Sequence, residues 1–110
     1  LAIRRDMKNR RGEADALSGL GITNMSISHF EKAIEYYEQT LAIQRELKDR
    51  DGEGVTLSDL GVAYASLRRY DKFIEYAEQA LAIVRDGLGA AARSLAVVES
   101  LLGLPNDEPR

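Results

Sequence analysis

The apolar positions of this chain fall into two alternating stripes that recur. Leu17, Leu20 and Gly21 share one face at helical spacing, and the same set returns forty residues on as Leu57, Leu60 and Gly61. Behind the first set, Phe30, Ala33, Ile34, Tyr37, Leu41 and Leu47 make a broader apolar face. The repetition extends to identity: Lys32, Ile34, Glu35, Tyr36, Glu38 and Gln39 return as Lys72, Ile74, Glu75, Tyr76, Glu78 and Gln79. Leu1-Ala2-Ile3 returns as Leu41-Ala42-Ile43 and as Leu81-Ala82-Ile83. A fixed period of this length marks an array of supersecondary units, each burying its apolar face against the next.

The pattern predicts helices over 12–27, 30–48, 52–67, 70–85 and 90–102. Ser28-His29 and Arg68-Arg69 mark tight turns, and Asp49-Arg50-Asp51-Gly52 marks a break whose aspartates suit a helix N-cap. Asp86-Gly87-Leu88-Gly89 is expected to be a further break, followed by a separate closing helix that Gly103 caps and Pro105 stops. Leu1 to Arg10 matches Leu41 to Arg50 and reads as the end of a helix begun elsewhere. With no initiating methionine and a start in mid-repeat, the chain is expected to be a piece of something longer. Gly21 and Gly61 each cost a helix about 1 kcal/mol relative to alanine, which predicts a close neighbour at both.

The expected fold is all-α: antiparallel helix-turn-helix repeats with a C-terminal capping helix, their stacking as a short right-handed superhelix being what the family resemblance given below implies. One domain spans 1–110, made of a truncated helix end (1–11), a first repeat (12–51), a second (52–87), the capping helix (88–103) and a tail (104–110).

Composition narrows the chemistry. With 110 residues, 45% of them hydrophobic, the chain can bury one core. Cysteine is absent, which excludes disulfides and thiol chemistry and fits a reducing, cytoplasmic setting. A net charge of -3 gives no reason to expect nucleic acid, and the basic cluster Arg4, Arg5, Lys8, Arg10, Arg11 lacks interleaved aromatics for base stacking. No apolar run approaches the roughly 20 residues of a membrane span. The single histidine, His29, falls in a turn with no second metal-binding side chain of its kind, and no phosphate loop or nucleophile elbow occurs, so no catalytic residue, metal or cofactor is expected.

Two helices per unit, with small residues at fixed offsets, resemble the tetratricopeptide repeat, in its longer forty-residue form. The family's large-large-small-aromatic pattern meets Leu17, Leu20, Gly21 and Asn24, then Leu57, Leu60, Gly61 and Tyr64. Its small-aromatic-small pattern meets Ala33, Tyr37 and Thr40, then Phe73, Ala77 and Ala80. Asn24 stands where an aromatic is usual. Phe73 and Ala77 reverse the order of Ala33 and Tyr37, one helical turn apart, so the Phe73 ring is expected to fill part of the space of a tyrosine at 77. Ser28 and Arg68 occupy turn positions where the family often has glycine.

The resemblance implies a concave face built from the first helix of each repeat. Here it comprises Asp15, Ser18, Gly19, Ile22, Met25 and Ser26, then Val55, Ser58, Asp59, Val62 and Ser66. A protein or peptide segment would meet apolar Ile22, Met25 and Val62, and the two acids favour a basic or neutral one. The family's clamp for acidic C-terminal tails needs cations that this face lacks. The expected function is therefore non-catalytic protein binding within a larger scaffold. The alternative is a self-assembly unit that dimerises or stacks through its ends. The closing helix carries Ala90, Val97 and Leu101 beside a first stripe of Leu88, Ala91, Leu95, Val98 and Leu102, and the opening half-helix carries Leu1 and Ile3. A homo-oligomer through these residues would cover apolar area that a simple cap would not expose.

Overall fold

A computed structural model describes residues 2–103, with side chains from residue 6 onward. Among the described residues there are four helices and no strand: α1 (Ala2–Ser26), α2 (Phe30–Glu46), α3 (Arg50–Ser66) and α4 (Tyr70–Leu102). The body is flat, 54 × 44 × 19 Å.

One turn design joins all four helices. Ser28, Lys48 and Arg68 each take a left-handed backbone, at φ 63, 57 and 60 respectively. In each case the next amide donates five residues back: His29 to Asn24, Asp49 to Gln44, Arg69 to Tyr64. The left-handed residue reverses the chain and the long hydrogen bond satisfies a helix-end carbonyl. None of the three is glycine, so each turn carries about 1–2 kcal/mol of backbone strain. The Asp49 carboxylate, as expected, caps α3 by accepting from the Gly52 amide at 3.1 Å.

These turns make neighbouring helices antiparallel. Arg10 of α1 meets Glu46 at the end of α2 (2.8 Å), and Arg50 at the start of α3 meets Asp86 of α4 (3.3 Å). α2 packs on both α1 and α3, and α3 on both α2 and α4. The core follows from that order. Ala33, Ile34, Tyr37 and Leu41 of α2 close on Leu57, Leu60 and Ala63 of α3, with Ala80 from α4.

Two expected breaks are absent. α1 runs unbroken through Asn9-Arg10-Arg11-Gly12, and α4 runs unbroken through Asp86-Gly87-Leu88-Gly89 for 33 residues. The stretch 88–102 is therefore the outer half of α4 and not a separate capping helix. The reason lies in the turn design. Leu88 occupies the place of left-handed Lys48, and Gly89 the place of the Asp49 cap, so this stretch has neither the turn residue nor the cap. Continuing the helix instead adds one hydrogen bond per residue. Gly103, at φ 70, ends α4 as expected. Leu1 and the tail from 104, with Pro105, lie outside the described residues.

Where the repeats depart from one another, the packing differs. Tyr64 stacks on Tyr76 with ring centroids 5.6 Å apart. Its counterpart Asn24 instead turns its amide onto the Leu20 carbonyl at 2.7 Å, and Thr23 and Ser26 bond back along α1 in the same way. Such back-bonding weakens helices slightly. The Phe73 ring does lie over Gly61, but it stays 38% exposed where Tyr37 is buried.

Candidate functional site

The concave-face candidates sit at matching positions on α1 and α3. Ile22 and Val62, one period apart, are both more than half exposed. Asp15, Gly19, Ser26, Val55, Ser58 and Ser66 are also exposed, while Ser18, Met25 and Asp59 are half-buried, Met25 packing against the core. Several hydroxyls are already occupied. Ser26 donates to the Ile22 carbonyl, Ser58 to Gly54 and Ser66 to Val62, at 3.0–3.2 Å. What this leaves for a partner is apolar side chain and carboxylate.

Asp59 has an unusual setting among these. It makes no ion pair among the described residues. Burial pushes its carboxyl above the ordinary aspartate range. The phenol of Tyr37 is raised too, first by burial and then by the Asp59 charge. Tyr37 also covers Gly21: a methyl group there would come within 2.6 Å of Cε1 of the ring. One aromatic side chain of α2 therefore links the small residue of α1 to the acid of α3. A half-desolvated carboxylate with no cation is suited to receive one.

Val55 and Ser58 turn out to face a different neighbour. Together with Ala80, Ile83, Val84 and Leu88 of α4 they line an open hollow of about 500 Å³. Sequence reasoning missed Val84 and Leu88 here. The available signal was the continuation of the α4 stripe at alternating three- and four-residue steps through Leu81, Val84 and Leu88, across what reads as a break.

A second hollow, of about 680 Å³, lies between Asp6, Met7, Asn9 and Arg10 of α1 and Glu46, Leu47 and Lys48. Its one described arginine is occupied, since Arg10 binds both Glu13 and Glu46. Of the residues expected at the ends, Ala90, Val97 and Leu101 are exposed on the outer half of α4. Leu1 lies outside the described residues, and so does the side chain of Ile3. His29 is exposed in its turn. Among the described residues no helix is long and apolar enough to cross a membrane, and no group of three or more potential metal ligands gathers.

The sequence profile of the tetratricopeptide repeat family matches residues 12–86, from within α1 to the middle of α4. No curated protein sequence matches the chain.

Proposed function

The chain belongs to the tetratricopeptide repeat family, whose members mediate contact between proteins, and on that premise we propose that it binds a protein or peptide segment along the face formed by α1 and α3, as a non-catalytic part of a larger scaffold. The observation that carries this reading is the pairing of Ile22 and Val62, both exposed, with a half-buried Asp59 that has no ion pair among the described residues. Apolar side chains of the segment would cover the first two. A lysine or arginine would answer the third, so the preferred segment mixes apolar and basic residues.

A fluorescence-anisotropy screen of extended peptides, ranked by charge, tests this. Ile22→Asp with Val62→Asp should abolish binding of every hit. Asp59→Asn should weaken basic peptides about tenfold while leaving neutral ones nearly unchanged, the size expected for one charge-assisted contact. Basic hits that are indifferent to all three changes would place the site elsewhere.

Asp59 also makes a prediction about stability. Its folded-state carboxyl titrates above the ordinary aspartate value of 3.8. The stabilisation from holding a proton is then fully present below that value and is lost as pH rises through the folded one. Asp59→Asn removes this dependence. Thermal melts from acid to neutral pH should show the variant gaining on the parent as pH rises, and parallel curves would refute the assignment. A residue that costs stability but receives a ligand is a common trade in binding sites.

A further inference from the structure

α2 and α4 are period mates, yet only α2 is covered on both sides. Leu41 is 6% exposed and its counterpart Leu81 is 55% exposed. Ile34 is buried and its counterpart Ile74 is exposed. What covers α2 is α3. At the other end of the array the deficit is reversed. Leu60 of α3 is 0% exposed, while Leu20 of α1 is 44% exposed. Thr56 is buried, while its counterpart Ala16 is open. Among the described residues, the outer face of α4 thus lacks a neighbour shaped like α3, and the outer face of α1 lacks a neighbour shaped like α2.

The charges obey the same rule. α2 and α3 are joined by Arg45 Nε to Glu53 Oε2 at 3.2 Å. One period on, Arg45 becomes Arg85 on α4, and one period back, Glu53 becomes Glu13 on α1. Arg85 has no ion pair among the described residues, and Glu13 meets only Arg10 of its own helix, with its side chain half exposed. Both halves of an interhelical ion pair are therefore present on one chain, at opposite ends.

We propose that a second copy of the chain docks head to tail, α1 of one copy lying on α4 of the next as α3 lies on α2, with Glu13 meeting Arg85. The same antiparallel register carried outwards brings Met7 alongside the stretch from Leu88 to Leu95, so the outer halves of both long helices lengthen the contact. The two surfaces are different, so a dimer leaves one of each kind free and further copies can add, in an open chain or in a ring where the rotation between copies closes. Ile22 and Val62 take no part, which leaves the proposed peptide face open.

Light scattering after size exclusion, across a dilution series, should show mass rising with concentration past that of a dimer. Leu20→Asp removes one surface and Leu81→Asp the other. Each variant alone should be a monomer at concentrations where the parent associates, and an equimolar mixture should give one-to-one pairs and nothing larger. Both leucines are about half exposed, and helicity by circular dichroism checks that the variants fold. A second pair uses surface charge only: Glu13→Arg and Arg85→Glu should each weaken association, and both together in one chain should restore it. A parent that stays monomeric throughout overturns the proposal. So does a Leu20→Asp chain that still dimerises while Leu81→Asp does not, since that result means α4 pairs with α4.

Discussion

Truncating Leu60 to alanine is expected to cost about 2–5 kcal/mol, and truncating Leu20 less than about 1 kcal/mol, although the two occupy the same repeat position. Leu60 lies fully buried in the core shared by α2 and α3, and with Leu57 it is among the largest side chains that see no solvent. Removing its branched end leaves a cavity walled by two helices that are each held by another neighbour, so the site has little freedom to collapse. Leu20 keeps much of its surface in water and gives up correspondingly little. For a domain whose total stability is roughly 5–15 kcal/mol, the Leu60 change alone takes a large share. Urea unfolding at micromolar chain concentration measures both. A midpoint shift without a change of slope identifies lost packing. Equal losses at the two positions in dilute solution would mean that the outer face of α1 is covered within the single chain.

Gly21→Ala and Gly61→Ala should shift stability in opposite directions. A helix interior favours alanine over glycine by about 1 kcal/mol, and that gain is available at both. At Gly61 the new methyl carbon meets its nearest atom, Cδ1 of Phe73, at 3.5 Å, an ordinary contact, so the gain survives. At Gly21 it would fall 2.6 Å from Cε1 and 2.8 Å from Cδ1 of Tyr37. That ring is buried and belongs to the main core cluster, so it cannot swing aside without opening the α1–α2 contact. Overpacking of this kind costs about 1–3 kcal/mol, which more than cancels the propensity gain. Thermal melts of the two single variants decide the matter. The idea fails if both move the midpoint the same way.

The period, the faces of the helices and the family were legible in the sequence because each rests on local spacing. So was the need for a close neighbour at Gly21, and in milder form at Gly61. The helix boundaries at 8–12 and 86–89 were not. Residues 8–12 resemble the turn at 47–52 and 86–89 carry two glycines, yet both stretches stay helical, because a turn also depends on packing that local spacing does not report. The candidate site divides along the same line. Exposure of Ile22 and Val62 follows from helical periodicity. The burial of Asp59 is set by how the helices pack, which helical periodicity does not report. The hollow joining Val55 and Ser58 to Val84 and Leu88 depends on how two helices diverge, and apolar spacing does not encode that angle.

The uniform turn, with left-handed residues at 28, 48 and 68, has a consequence for length. Every reversal spends the same twenty residues and meets its neighbour through the same kind of contact. No dimension of the fold therefore sets how many layers the chain should contain. A forty-residue duplication spliced in at Lys48 would add a layer whose two faces already have complements, and no new contact would have to be invented. Growth by copying, within one chain, is open to this architecture in a way that it is not open to a fold built around one enclosed centre.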